Sequence, residues 1–419
     1  MMWSLKPHAG DAMRSLRTFF RFLLQVQGAV VLGARINRDE DAVEVLVRRH
    51  GNAKARCCIH PKEVLTGTYT TTSVRWRHLD LMKRRTYLVA DIREGRCPLC
   101  NGRRHEAVPW AGPRARHTRS FDRHVASLAQ VADRSAASRM FHVTWRTVGR
   151  IVKRVVDEFL PRDLLDNLEC IGVDETSYKR GHRYITVVTD LMTGVVVWVG
   201  KGKTAETLGE FFKILGPERA AKIGLVTMDM GGAFQKAVKK WAPNADIVFD
   251  RFHVVKLLLE AIDEIRRGEC GALDGDAKKA LKNTRFALLR NPKHRKPKDN
   301  EAISRVKATN GRLHRAYQLR VDFEDLWEIH DEDEARGFLM RWTRSALLSR
   351  REPLRKFART VREHIDGILG FMRWEGITNA NLEGMANKIK LCIHKAFGFH
   401  SVDSLIGMVH LCCSGISLV

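Results

Sequence analysis

From Gly28 to Arg48 apolar and polar residues alternate, most plainly at Val43, Val45 and Val47, and this period of two predicts short β-strands. Two cysteine-bearing knuckles follow, "RCCIHP" and "RCPLCNG". The 36 residues between His60 and Cys97 have the length of a hairpin. "VPWAGPRARHTRS" has the Pro, Gly and Arg content of a linker. From Phe121 to Phe159 the period lengthens to that of helices. Val125, Leu128, Ala129 and Ala132 make a first apolar face, Ser135 is placed to cap a short second helix through Met140, and Thr144 a third.

Between residues 168 and 257 strand-like and helical rhythms interleave. "LECIGVDET" and "RYITVVTD" flank the turn glycine Gly181 and read as a hairpin, with "VVVWVGKG" as a third strand. "AETLGEFFKIL", "KIGLVTMDM", "GAFQKAVKKW" and "ADIVFD" then read as helix, strand, helix, strand. That order predicts an α/β fold with a mixed sheet in which the first and fourth strands lie side by side. Residues 258–375 are helix-forming with basic clusters such as "RNPKHRKPK", and a short apolar helix pattern returns from Thr378. The breaks suggest segments 1–110, 111–165, 166–257, 258–375 and 376–419, without internal repeats.

Charge adds a partner to this picture. The chain of 419 residues carries a formal +25, and residues 1–160 hold 30 Lys and Arg against 14 Asp and Glu. Basic charge concentrated in one part of a chain points to a polyanion, most often nucleic acid. Nine cysteines, an odd number, without a secretory signal argue against a disulfide framework and for a reducing compartment. "FFRFLLQVQGAVVLG" is too short and too polar to span a bilayer, so a soluble intracellular protein and no membrane partner are expected.

Three groups of residues carry candidate chemistry. Cys97 and Cys100 have the spacing of two ligands to one tetrahedral zinc; Cys57 with His60 supplies a second pair, Cys58 being the alternative. Arg146, Arg150, Lys153 and Arg154 recur at helical spacing on the third helix, as DNA contacts in a helix-turn-helix require. Asp174 and Asp229 end the first and fourth strands, so the sheet brings them together, and paired carboxylates call for a divalent ion such as Mg²⁺. For a third acid the candidates are Glu363, Asp366, Glu375 and Glu383; Glu383 shares a helix face with Asn387 and Lys390.

"GVDETSYKRGHRYITVVTD", "VTMDMGGAFQKAVKKWAPNADIVFDRFHVVKLL" and "ITNANLEGMANKIKLCIHKAFGF" resemble the three motif blocks of bacterial insertion-sequence transposases of the ISL3 family. "VRWRHLDL", "RCPLC", "VPWA" and "WRTVGRIV" extend the resemblance to the zinc-ribbon and helix-turn-helix regions of that family. It implies a ribonuclease-H-like core with the triad Asp174, Asp229 and Glu383 and two Mg²⁺ or Mn²⁺ ions, interrupted by a helical insertion over about 258–375. The implied partners are double-stranded DNA, both terminal inverted repeats and target, and a second copy of the chain, in the bacterial cytoplasm at the nucleoid. The "FDRFHVVK" block carries Asp250, His253 and Lys256, with Asp250 and His253 as auxiliary site residues or a helix cap, and Lys390 follows on the glutamate helix. Two features depart from the family pattern: "CCIH" stands where a second CxxC is usual, and "GMVHLCCSGISLV" is a docking helix or a frayed end. An inactive relative kept as a DNA-binding regulator shares the amino-terminal half but has no use for the triad.

Overall fold

Val43, Val45 and Val47 turn their side chains into one core, as their alternation predicts. The computed structural model describes residues 9–24, 26–51, 54–179, 181, 183–374, 380–395, 399 and 401–418. Two compact units emerge, Met1–Leu160 with Ile416–Val419, and Pro161–Gly415.

In the first unit, helix α1 (Ala9–Leu24) lays Phe20 and Leu24 on a five-stranded sheet. Its strands are β1 (Ala29–Asn37), β2 (Ala42–Arg49), β3 (Thr66–Leu81), β4 (Arg84–Cys97) and β5 (Gly102–His105). The order is β1-β2-β4-β3 with β5 on β4, and only β2 and β4 pair in parallel. The β3–β4 hairpin thus fills the interval between the two knuckles.

The supposed linker is part of this core. Trp110 is buried edge-on against Trp76, ring centroids 5.8 Å apart, a geometry worth roughly 0.5–1.5 kcal/mol beyond area burial. The Arg77 N–H donates to Arg116 O and the Thr118 N–H to Arg77 O, each at 2.9 Å. Composition marked the segment as irregular, correctly, but irregular backbone with an aromatic anchor packs like any other.

Three helices complete the unit: α2 (Arg119–Val131), α3 (Arg134–Met140) and α4 (Trp145–Phe159). Thr144 caps α4 as expected, its side chain accepting from the Thr147 N–H at 3.2 Å. Asp133, not Ser135, caps α3, accepting from the Ala136 N–H at 2.8 Å. Along α2 the buried face is Phe121, Val125, Ala126 and Ala129, with Leu128 and Ala132 at its margin. The left-handed backbone of His142 (φ 51°) turns the chain between α3 and α4. Ile416 and Leu418 are buried within this unit, where Gln130 Nε2 donates to Ile416 O (3.1 Å) and Arg123 Nη2 to Leu418 O (3.0 Å).

The second unit is built on β6 (Cys170–Lys179), β7 (Arg183–Asp190), β8 (Val196–Lys201), β9 (Leu225–Met228) and β10 (Asp246–Phe249), in the order β10-β9-β6-β7-β8. β6, β7 and β8 are antiparallel, while β9 lies parallel to both β6 and β10. The first and fourth strands of this region are therefore neighbours, as their sequence order predicts. One face packs against α5 (Ala205–Leu215), followed by the one-turn α6 (Pro217–Ala220), and α7 (Gly232–Trp241), with Phe211, Phe212 and Val238 in the core.

A long α8 (Arg251–Gly271) leads from β10 into α9 (Gly275–Leu281), α10 (Arg285–Leu289), α11 (Pro297–Thr309), α12 (Gly311–Asp322), α13 (Glu332–Leu348), α14 (Glu352–Glu363) and α15 (Ile365–Arg373). Phe323, Trp342 and Phe357 form their aromatic centre, and Trp342 Nε1 donates to Leu319 O at 2.8 Å. α15 covers the edge strand β10 so closely that a Cβ on Gly367 would lie 2.3 Å from the Phe249 ring. The opposite face of the sheet receives α16 (Ala380–Lys395) and α17 (Val402–Cys413) through Ile389, Leu405 and Val409 against Ile185, Val187 and Val199. The tail thus begins as a docked helix; beyond it Ser414 Oγ donates to Val196 O at 2.6 Å. Among the described residues no helix is long and apolar enough to cross a membrane.

Candidate functional site

Three neighbouring strands carry aspartates at the end of their parallel pairing. Asp229 and Asp250 directly follow β9 and β10. Asp174, expected to end its strand, lies within β6, which continues to Lys179 in its antiparallel pairing with β7. β6 and β9 pair Gly172 with Thr227, and β9 and β10 pair Met228 with Phe249. Two positions beyond the first pair come Asp174 and Asp229; one beyond the second come Asp229 and Asp250. The carboxyl edge of parallel strands is where open α/β sheets bind ligands. Here Asp174, Glu175, Asp229 and Asp250 line one pocket of about 300 Å³, with His253 and Lys256 from α8 and Asn387 and Lys390 from α16.

Local hydrogen bonds aim each acid. Asp174 Oδ1 accepts from the Glu175 N–H at 2.8 Å, and Asp229 Oδ1 from the Gly231 N–H at 2.9 Å. Asp250 does two things at once. Its Oδ1 caps α8 by accepting from the Phe252 N–H, and its Oδ2 accepts from His253 Nδ1, both at 2.9 Å. Asp250 thus caps α8 and lines the pocket with the same carboxylate.

The electrostatics are those of crowded anions among cations. Burial raises the Asp174 carboxyl above its usual range and the neighbouring Asp229 charge adds to this, while the Glu175 N–H, His253 and Lys390 pull it back. The Asp250 hydrogen bond raises His253, against the opposing effect of burial, and the charges of Asp174 and Asp229 push the same way. Glu175 is raised by burial but meets its own cation, Lys203 at 3.5 Å, which also lies over the Tyr184 ring at 4.0 Å.

Glu383 lies in α16, four residues before Asn387, but its side chain is outside the described residues, as is all of Glu375. Glu363 ends α14 and Asp366 accepts from Arg336 Nη2 at 2.9 Å; neither lines the pocket. Of the basic residues in the "RNPKHRKPK" cluster, Lys293 pairs with Glu328 at 3.0 Å and Arg295 lies over the Tyr317 ring. Sequence reasoning missed Phe252. Its signal was there: an aromatic out of phase with the apolar stripe of the helix that carries it.

A second cluster lies in the first unit. Ligand atoms of Cys57, His60, Cys97 and Cys100 all come within 4.8 Å of one another. Cys57 Sγ is 3.7 Å from Cys100 Sγ, and His60 Nδ1 is 3.3 Å from Cys100 Sγ and 3.7 Å from Cys97 Sγ. Zinc–sulfur bonds of about 2.3 Å in a tetrahedron require edges of about 3.7 Å, so the set can hold a metal ion. Burial opposes ionisation of Cys57, but backbone N–H groups of His60 and Ile59 aimed at its sulfur hold the thiol below its ordinary range. Cys58 is not in the group, and burial raises its thiol.

On α4, Arg146, Arg150 and Lys153 are exposed, Lys153 in an i,i+4 pair with Asp157 at 2.9 Å. Arg154 is placed differently. Its Nε and Nη2 each donate to the buried Asp122 of α2 at 2.9 Å, which ties two helices together. His117 stacks on Phe121 beside this pair, and burial with the nearby arginines lowers its pKa to about 4.

Comparison with known proteins bears on both units. Residues 171–409 match the ISL3 family model described as transposase, and residues 106–156 the model of the helix-turn-helix domain of transposase family ISL3. The chain is 32% identical over 434 residues to the transposase for insertion sequence element IS1557 of Mycobacterium tuberculosis, covering 96% of each. It is 30% identical over 338 residues to the transposase for insertion sequence element IS1001 of Bordetella parapertussis, covering 80% of this chain and 83% of that one. With a family model over more than half its length and a relative matched nearly end to end, the chain belongs to the ISL3 family of insertion-sequence transposases, DNA-processing enzymes with a helix-turn-helix.

Proposed function

We propose that this transposase cuts the ends of its element by phosphodiester hydrolysis and joins the exposed 3′-hydroxyls to target DNA, with Asp174, Asp229 and Glu383 as the catalytic acids. The row of aspartates just beyond the parallel pairings, in one pocket with Lys390 and His253, carries this reading. A sheet of three antiparallel strands extended by two parallel ones, with helices on both faces, supports a ribonuclease-H-like core with α8–α15 as an insertion. Position 383 of α16 comes one helical turn before Asn387, which lines the pocket, and this spacing supports Glu383 as the third acid.

The donor set fits two Mg²⁺ or Mn²⁺ ions: carboxylate oxygens without sulfur or free imidazole, in a pocket where burial and mutual repulsion leave Asp174 short of positive charge. Bound there, such ions supply the Lewis acidity that stabilises charge on the attacking and leaving oxygens. The remaining work belongs to the chain. Lys256 and Lys390 offset the charge of the DNA phosphate. Asp250 fixes the His253 ring through Nδ1 and favours its protonated form, leaving Nε2 to donate to a phosphate oxygen.

Cys57, His60, Cys97 and Cys100 hold a structural zinc in this reading, and Arg146, Arg150 and Lys153 bind the terminal inverted repeats. Joining two ends calls for a homodimer or larger assembly. The test is a duplex carrying one end of the element, incubated with protein and Mg²⁺. Wild type should cut at the repeat boundary, and Asp229→Ala should bind without cutting. An Asp229→Ala protein that cuts as fast as wild type rules the mechanism out.

A further inference from the structure

Phe252 is 62% exposed at the rim of the carboxylate pocket. It has no part in the core stripe of α8, which runs through Val254, Leu258, Ala261, Ile262 and Ile265. At about 100° per residue, Phe252 falls on the opposite side of the helix, in line with Lys256 one turn on. Its backbone is held in place, since its N–H donates to Asp250 Oδ1 at 2.9 Å, and its ring stands edge-on to His253 at 5.8 Å. A rigidly based, solvent-facing aromatic thus stands beside cations that suit phosphate.

We infer that Phe252 is a stacking platform for an unpaired nucleobase next to the scissile phosphate, an inference that rests on the catalytic reading above. A nucleotide offers the two surfaces this rim can take: a flat apolar face for the ring and a phosphate for Lys256 and Lys390. In a continuous duplex both faces of each base are covered by its neighbours. The ring therefore engages only a base that has left the stack, and by doing so favours opened DNA at the cleavage point.

The experiment is a cycle between ring and base. Single-turnover cleavage by the full chain with Mg²⁺ is measured on an intact duplex spanning one inverted-repeat boundary, and on duplexes with one abasic nucleotide at successive positions around that boundary. Phe252→Leu, which keeps bulk without a flat ring, and Phe252→Ala should each slow cleavage of intact DNA by roughly 5- to 150-fold, the range of one base–aromatic stack. Phe252→Trp should cut at close to the wild-type rate. At one abasic position the penalty of losing the ring should vanish, because its partner is gone. Equal rates for Phe252→Leu and wild type on intact DNA overturn the inference, as does a penalty of the same size on every abasic duplex. Either result leaves the catalytic reading standing, whereas wild type that fails to cut intact DNA removes both.

Discussion

Asp174 and Asp229 are separated by 54 intervening residues yet adjacent in space, because strand pairing in register converts position along two strands into neighbourhood. The order of elements made this nearness legible early, but the apolar run that stops at Asp174 is not a strand end, since β6 continues to Lys179 along β7. The groups that aim the acids were not legible. Gly231 reads as a loop glycine, but a Cβ there would come within 2.8 Å of Asp229 Oδ1, the oxygen that the Gly231 N–H holds. Its φ of −65° is open to alanine, so Gly231→Ala should fold normally and displace only the carboxylate. Misplacement of about 1 Å can cost on the order of 10²-fold in rate. We expect a loss of that order in cleavage with an unchanged melting temperature; a variant that cuts normally would show that the Asp229 position is not critical.

Elements with a clear period were legible, and those held by tertiary contact were not. The β3–β4 hairpin follows from the length between the knuckles, and the helices α2–α4 from helical spacing and, for α4, its Thr144 cap. Trp110 packs from a stretch without any period, and the fit of α15 to β10 depends on Gly367 and Gly370, which sequence alone presents as poor helix formers. Within α4, spacing could not separate Arg154 from Arg146 and Arg150, because the distinction lies in Asp122 on another helix. It predicts two kinds of loss. Arg146→Ala and Arg150→Ala should each weaken DNA binding and reduce the slope of log affinity against log salt by about 1, without lowering stability. Arg154→Ala should destabilise the helix-turn-helix by roughly 2 kcal/mol, less than the ~3–5 kcal/mol of a fully buried pair because Arg154 is partly exposed. Salt-dependent binding and thermal melting of the same three proteins check both. The knuckles add a separate test. Zinc should copurify with the chain and be lost in Cys97→Ser, with a lower melting temperature; full metal content in that variant would remove Cys97 from the ligand set.

Across the whole molecule, charge and chemistry divide the labour. The basic excess of residues 1–160, +16 of the total +25, falls with the helix-turn-helix, while the acid row belongs to residues 161–415. Binding and cutting should therefore separate under mutation, losses in α4 lowering affinity and losses in the pocket lowering rate. The most direct measurement follows Asp174, whose carboxyl is raised above its usual range by burial and by the neighbouring Asp229 charge. Wild type and Asp174→Asn, which preserves shape and the hydrogen bond from the Glu175 N–H, are compared on element-end DNA for affinity and for Mg²⁺-dependent cleavage. Equal affinity, a new 3′-hydroxyl at the repeat boundary with wild type, and no cleavage by Asp174→Asn is the expected result. Cleavage by Asp174→Asn at the wild-type rate would contradict the assignment of the catalytic site.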